Sequence, residues 1–392
     1  MEEAQTPTVL IPTTAYLPGT KAGGPIRSLA NLVERLGDEF RFLIATLDHD
    51  WCERAPYPGI QTGVWTRLGK AAVCYLSERD VQWGRLHRFL KSTPADVLYF
   101  NGVFDPVMSF RPYVLRFLAG QDASSLVIAP RGELLPAALA TKRWKKKPYL
   151  FLLRSLGVLR RCTWHATNER EKEAILNVFG PQECFVANNL PAAARPAAAR
   201  AKPKQAGALR LAFVGRVHPI KNLDFAIARL KPLAGNIVLS IYGLLEDSQY
   251  WARCEALIAT LPPLVRVNCR GVLPYEALAD ELPQHDALFL PTQTENYGHA
   301  IIESLAAGLP VVISNRTPWR QLESARVGWD IPLEDPNRFT SVLQHLADLD
   351  EQGLQPFRER AVQYANSARL DPAVLGVYRQ MFRRAAAKGK PG

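Results

Sequence analysis

Two glutamates separated by seven residues, Glu295 and Glu303, stand in the run Glu-Asn-Tyr-Gly-His-Ala-Ile-Ile-Glu-Ser-Leu-Ala-Ala-Gly-Leu-Pro, residues 295–310. A carboxylate is a bidentate acceptor suited to the hydroxyls of a sugar or a ribose. Between the two lie Asn296, Tyr297, Gly298 and His299. Gly298 lets the backbone come close to a ligand at the start of a helix, where free N–H groups and the helix dipole favour an anion such as a diphosphate. Gly308 is placed to end that helix and Pro310 to prevent its continuing. Two solvated glutamates around an ordinary helix are the bland alternative, and the agreement of loop, helix start and stop weighs against it. Upstream, Phe213-Val-Gly215-Arg216-Val-His-Pro-Ile-Lys221-Asn222 puts two cations five residues apart after a strand end. Arginine offers phosphate a fork and lysine a mobile point charge, a suitable pair for a leaving diphosphate. Gly215 and Gly243 are candidate backbone contacts at strand ends.

A glycine-rich turn at 19–28 carries Gly23 and Gly24 ahead of another helix start, and it fits a phosphate cradle and a plain tight turn equally well. It matches neither GxGxxG nor GxxxxGK[ST], so a dinucleotide-dependent oxidoreductase and a P-loop NTPase have no support. Five polar residues near other N-terminal strands are candidates to touch a substrate. Asn101 is an amide, no base near neutral pH, and can only position by hydrogen bonding. Asp105 is a carboxylate partner or, more in keeping with Pro106, a turn residue. Arg131 and Glu133 follow a strand end in Ala-Pro-Arg-Gly-Glu, residues 129–133. His165 reads better as a structural hydrogen-bonding residue than as a catalytic one.

Such residues need a scaffold that ends several strands at one edge. Apolar runs at 8–11, 41–47, 96–100 and 125–129, with helical spacing through Ile26, Leu29, Ala30, Val33 and Leu36, predict a mostly parallel sheet with helices on its faces. Residues 191–207 carry three prolines and few large apolar groups, so they cannot pack a core and read as a linker. The alternation then restarts, with strands at 209–214, 236–242, 286–290 and 310–314 and helices at 223–230 and 297–307. The fold class is α/β: an N-terminal domain 1–190, a linker 191–208 and a second domain 209–365, both doubly wound and Rossmann-like, facing a central cleft at the carboxyl ends of their strands. Residues 366–392 are expected to form a helix and basic tail packing back toward the N-terminal domain.

Together these motifs resemble glycosyltransferase family 4 on the GT-B fold, well over the C-terminal domain and weakly over the N-terminal one. The resemblance implies a retaining hexosyltransferase that works without a metal or other cofactor, with a nucleoside diphosphate sugar as co-substrate. It implies that Arg216 and Lys221 hold the diphosphate, Glu295 the donor sugar and Glu303 the ribose, with Arg216, Lys221 and Glu295 as the catalytic set. Gly23 and Gly24 would lie across the diphosphate, and Gly215, Gly243, Asn296, Tyr297, Gly298 and His299 would complete the donor site. The acceptor side would draw on Asn101, Asp105, Arg131, Glu133 and His165. Many members carry a histidine near where Asn101 stands here. A sugar-nucleotide epimerase of the same fold and a non-catalytic nucleotide-sugar-binding protein are the alternatives; the intact Arg216, Lys221, Glu295 and Glu303 count against the second. Asp48-His49-Asp50 has the DxD form of metal-dependent GT-A enzymes, but that fold would leave the second α/β half unexplained, so the segment reads as a loop.

The net charge of +11, from 48 Lys and Arg against 37 Asp and Glu, concentrates at 142–147, 195–204 and 383–390. No recognition module or aromatic-interleaved basic stripe supports nucleic-acid binding. Residues 141–153 place five cations beside aromatic and aliphatic groups, with Leu150, Leu153, Leu156 and Gly157 at helical spacing. That pattern fits a core helix behind a solvated loop and an interfacial surface for anionic lipid equally well. Six cysteines without a CxxC pair argue for reduced thiols and against structural zinc. The acidic start is not a basic, apolar leader, and no apolar run reaches bilayer length. The expectation is a cytoplasmic enzyme, with peripheral attachment to the inner face of the membrane left open. A glycan or lipid-linked glycan acceptor in cell-surface polysaccharide or lipopolysaccharide biosynthesis is implied by the resemblance alone.

Overall fold

The computed structural model describes residues 6–119, 125–140, 143–155, 157, 159–193, 203–369 and 372–389. The chain divides into two compact units, Met1–Leu190 with Asp371–Gly392, and Pro191–Leu370. The expected boundary at 365 falls inside a helix, Glu351–Arg369, which keeps the following residues with the second unit.

The first unit is built on β1 (Thr8–Thr13), β2 (Arg41–Leu47), β3 (Trp65–Leu68), β4 (Ala71–Leu76), β5 (Val97–Asn101), β6 (Leu126–Ala129), β7 (Thr163–Ala166) and β8 (Cys184–Val186). Their order is β3-β4-β2-β1-β5-β6-β7-β8, and every pair is parallel except β3 with β4. Helices cover both faces, so the central strands are buried on both sides and read as continuous apolar runs. Val9, Ile11 and Tyr99 pack with Leu29, Leu32 and Leu36 of helix Gly24–Leu36 on one face. Leu10, Leu98, Phe100, Leu153 and Trp164 form the other layer. Helix Pro372–Lys388 packs on the first of these layers: the Phe382 ring lies 5.4 Å from Phe40 and 5.3 Å from Tyr99, and Arg379 pairs with Glu39 at 2.7 Å.

The second unit repeats the plan with six strands, β9 (Ala208–Val214), β10 (Asn236–Tyr242), β11 (Val265–Gly271), β12 (Ala287–Leu290), β13 (Val311–Ser314) and β14 (Gly328–Ile331). They run in the order β11-β10-β9-β12-β13-β14, all parallel. One buried charge sits at the foot of this sheet. Asp286, fully buried, accepts from the backbone N–H of Arg210 at 2.8 Å, from its guanidinium at 2.9 and 3.1 Å, and from Arg358 at 3.3 Å.

Residues 194–202 of the linker, Lys142 and Leu156 of the basic stretch and Lys390 of the tail lie outside the described residues. The end of the linker that is described is anchored. Lys204 is buried, and its Nζ donates to the carbonyls of Gln205, Ala347 and Leu349, capping the end of helix Pro336–Asp348. A cation at a helix C-terminus is favoured by the exposed carbonyls there, which explains why this polar segment packs where composition predicts a free linker.

Candidate active site

In the second sheet the strand order reverses between β9 and β12, and the loops after such a pair diverge to leave a crevice at their carboxyl ends. The loop after β9 carries Gly215, Arg216 and Lys221, and the loop after β12 carries Glu295 to Gly298. The two loops are stitched together. Asn222, held at φ 60°, donates from Nδ2 to the Pro291 carbonyl at 2.9 Å, and Ile220 O accepts from Gln293 N at 2.7 Å and Thr292 Oγ1 at 2.9 Å. Gly243, after β10, meets the first loop so closely that a Cβ there would fall 2.0 Å from the Gly215 carbonyl oxygen. Only glycine fits such an approach.

The predicted cations and the first glutamate come together. Lys221 Nζ is ion-paired with the Glu295 carboxylate, both partly buried. Arg216 forks onto Glu246, with Nη1 2.9 and 2.8 Å from the two carboxylate oxygens. Sequence reasoning missed Glu246. The signal that could have found it is that Val214 and Tyr242 pair across β9 and β10, so the loops leaving them run side by side.

Helix His299–Ala306 begins two residues later than the spacing predicts, because Gly298 at φ 84° is left-handed and cannot belong to it. Its N-cap, Gly298, has no side chain with which to cap the first turn, and a helix start of that kind favours an anion through its amides and dipole. A Cβ at Gly298 would lie 2.8 Å from Ile301 Cδ1 and 3.2 Å from Glu295 Cγ. Glu303 is buried in the second turn. The helix stops as predicted: Gly308 is left-handed, its N–H bonds to Leu305 O, and Leu309 N–H bonds to Ser304 O at 2.9 Å, the two bonds of a Schellman closure. Tyr297 packs on His299 at 4.8 Å, and its carbonyl accepts from Trp319 Nε1 at 2.5 Å. Asn296 lies in the same loop, beside Tyr297.

The first sheet reverses between β1 and β5. After β1 comes the turn with Gly23, at φ 66°, and Gly24, the first helical residue. Asp50, read as part of a loop, clamps this turn: its buried carboxylate accepts from Thr20 N at 2.8 Å, Lys21 N at 3.2 Å and Trp51 N at 2.7 Å. Asp50→Asn turns one acceptor into a donor facing an N–H, at a cost of about 1–3 kcal/mol. The expected result is faster hydrogen exchange at the Thr20 and Lys21 amides, with the strand amides unchanged; equal exchange in both proteins would remove the clamp.

After β5 the five acceptor-side candidates separate into two groups. Asn101 Oδ1 accepts from Arg131 Nε at 2.9 Å at the carboxyl ends of β5 and β6, and the same guanidinium also donates to Asn189 Oδ1 and to the Tyr99 hydroxyl. The other three, Asp105, Glu133 and His165, also bond within the fold, the reading the sequence favoured for Asp105 as a turn residue and His165 as a structural one. Asp105 caps the turn after Pro106, accepting from Val107 N at 2.9 Å and Met108 N at 2.7 Å. Glu133 accepts from Val103 N at 2.5 Å and Phe104 N at 3.1 Å, and burial pushes its pKa up. His165 is fully buried, with Nδ1 2.7 Å from Tyr99 Oη and Nε2 2.9 Å from the Ala187 carbonyl. A carbonyl only accepts, so Nε2 carries the proton and Nδ1 accepts from Tyr99, whose oxygen in turn accepts from Arg131 at 2.7 Å.

Burial, with the Arg131 charge, pushes the His165 pKa down to about 3. A histidine that is harder to protonate in the fold than in the unfolded chain, where its pKa is about 6.5, stabilises fully above that value and loses stability as pH falls toward the folded pKa. The loss should reach about 2 kcal/mol at pH 5. Urea unfolding at pH 7.5 and 5.0 measures it, and His165→Gln should show a correspondingly smaller difference.

Glycosyltransferases of the GT-B fold are among the solved structures that this chain resembles. Sucrose-phosphate synthase from Thermosynechococcus elongatus matches with a TM-score of 0.66 at 17% identity, over 98% of this chain and 100% of that one. HepE of Anabaena, solved with UDP and glucose, matches at 0.66 and 14%, over 97% and 100%. WaaG, a glycosyltransferase involved in lipopolysaccharide biosynthesis, matches at 0.64 and 14%, over 98% and 100%. Comparison with curated proteins gives no significant match. The fold class is therefore GT-B, two parallel-sheet Rossmann-like domains. Residues 195–367 match the family described as glycosyl transferases group 1, and the protein is a glycosyltransferase carrying a group 1 domain.

Proposed function

We propose that the second unit binds a nucleoside diphosphate sugar and that the protein transfers its hexose, with retention and without a metal, to a glycan or lipid-linked glycan acceptor held by the first unit. The observation that carries the donor assignment is the convergence of Arg216, Lys221, Glu295 and the start of helix His299–Ala306 at one strand reversal. As the bond from sugar to diphosphate breaks, negative charge develops on the leaving oxygen. Preorganised cations and amides stabilise that charge more than they stabilise the ground state. Lys221 and Arg216 each sit on a carboxylate, which holds them in place until phosphate oxygens take over as partners. Glu295, released from Lys221, would then accept from the sugar hydroxyls, and Glu303 from the ribose. Asn101 and Arg131, at the strand ends of the first unit, are the acceptor-side residues this reading keeps. Retention has its support in the resemblance of the donor residues to a retaining pattern.

The direct test is a thermal-shift screen against UDP-, GDP-, ADP- and dTDP-sugars, since a ligand that binds the folded state raises its stability. One sugar nucleotide should shift the transition, and EDTA should leave both the shift and the turnover intact. No shift with any of the four sinks the donor assignment. Product that is an isomerised sugar nucleotide, formed without acceptor, would make the protein an epimerase.

For the acceptor, a lipid-linked substrate reached from a membrane surface fits helix Arg143–Ser155. Trp144 is 74% exposed and Phe151 72%, among Arg143, Lys145, Lys147 and Arg154. Each cation near an anionic leaflet contributes about 1 kcal/mol. Among the described residues no helix is long and apolar enough to cross a membrane. Lys146 points elsewhere, its Nζ donating to Ala138 O at 2.7 Å and lying 4.9 Å from the Phe104 ring. Replacing Arg143, Lys145 and Lys147 with Gln should therefore abolish pelleting with phosphatidylglycerol vesicles and lower activity on a lipid-linked acceptor, sparing a soluble one. Absence of vesicle binding by the unaltered chain at physiological salt ends the membrane reading.

A further inference from the structure

We propose that the second unit holds a separate binding site for a small amphipathic anion at the β14 edge of its sheet. Here β14 has a strand neighbour on one side alone. A cavity of about 540 Å³ opens between it and helices Pro336–Asp348 and Glu351–Arg369. That volume falls in the range of roughly 300–1,000 Å³ that small ligands occupy. None of Arg216, Lys221, Glu246, Glu295 and Glu303 lines it.

The wall is apolar. Trp329 and Phe357 lie 5.3 Å apart at 32° between ring planes, with Val342 beside them. Two lining positions carry no side chain. A Cβ on Gly328 would sit 2.1 Å from the Val311 carbonyl oxygen, so the backbone of β13 excludes any other residue there. Gly353 opens the opposite wall. The mouth is polar and positive: Arg326, Arg360, His345 and Ser341 line it, and Glu323, the one acid, is neutralised by its ion pair with Arg338. Arg326 and Arg360 make no side-chain hydrogen bond or ion pair among the described residues. Two uncompensated guanidinium groups beside an aromatic wall match a ligand with an apolar body and one anionic group, bound by burial of the body and by charge-assisted hydrogen bonds. A phosphate ester and a carboxylate share that chemistry.

The probe is 1-anilinonaphthalene-8-sulfonate, titrated by fluorescence beside its uncharged analogue N-phenyl-1-naphthylamine. The unaltered chain should show a saturable component that Ser341→Trp, an exposed position at the mouth, and Val342→Trp, which fills the cavity, both remove. That component is thereby distinguished from probe bound on the exposed Trp144 and Phe151. Arg326→Gln with Arg360→Gln should weaken the sulfonate at least tenfold and the neutral analogue less than twofold. Decyl phosphate and decanoate as competitors then separate the two sources. Unchanged sulfonate affinity in the double variant and in Ser341→Trp overturns the site; equal weakening of both probes in the double variant overturns the anionic ligand; and failure of both competitors at millimolar concentration overturns the natural-ligand class. Because Ser341→Trp changes a surface residue, the test stands even where Val342→Trp does not fold.

Discussion

Lys221→Ala and Arg216→Ala should each lower kcat by about a hundredfold or more, a loss of about 3–4 kcal/mol of transition-state stabilisation such as follows removal of one oxyanion donor. Far-ultraviolet circular dichroism and the unfolding midpoint should be little changed, because the loop that carries both cations is held independently of them by the Asn222 and Thr292 side chains and the Gln293 amide. The two ion pairs separate the cations' roles. Glu246→Gln frees Arg216 from its carboxylate, so binding of the nucleoside diphosphate should tighten severalfold. Glu295→Gln frees Lys221 in the same way, yet removes the carboxylate assigned to the sugar, so the diphosphate should bind as well or better while turnover falls. Near-normal turnover in both alanine variants would falsify the phosphate clamp. Equal weakening of diphosphate binding in Glu246→Gln would instead make Glu246 a direct ligand contact.

The largest effect on stability is expected at Asp286. This carboxylate is fully buried and joins Arg210, whose backbone and guanidinium it binds at once, to Arg358 on helix Glu351–Arg369. Removing one partner of a buried ion pair leaves the others uncompensated and costs about 3–5 kcal/mol. Asp286→Ala should thus unfold the second unit at markedly lower urea, and nucleotide-sugar binding should be lost together with the fold. Asp286→Asn keeps two acceptor lone pairs and should fall between the two. An unfolding midpoint within 1 kcal/mol of the unaltered chain for the alanine variant would show that the network carries no net stability. Arg358 also pairs with Glu351, so Glu351→Gln provides a milder second probe of the same network.

What the amino-acid sequence determined by itself was whatever is written contiguously. The loop, helix and stop from Glu295 to Pro310 are set by the conformational preferences of Gly298, Gly308 and Pro310 in one stretch, and the structure differs there by two residues at the helix start. Long buried strands such as β2 and β10 announce themselves because parallel strands are apolar on both faces. The two α/β halves follow from those runs. Tertiary structure decided the rest, for two physical reasons. Short or edge strands bury too little to leave a pattern: β3 is exposed along its length, β8 is three residues long, and β11 alternates irregularly at an edge. Polar side chains, moreover, take their meaning from partners remote in sequence. Arg216 meets Glu246 only because β9 and β10 pair in register. Asp50 reaches the Thr20 and Lys21 amides because β1 and β2 end side by side. Glu133 looks like a site residue along the chain, while His165 reads as a structural one; which groups they meet, the amides of Val103 and Phe104 and the Tyr99 hydroxyl, is set by strands remote in sequence. The helix at the C-terminus joins the first unit through Phe382 and Arg379, contacts that no local preference in its own sequence encodes.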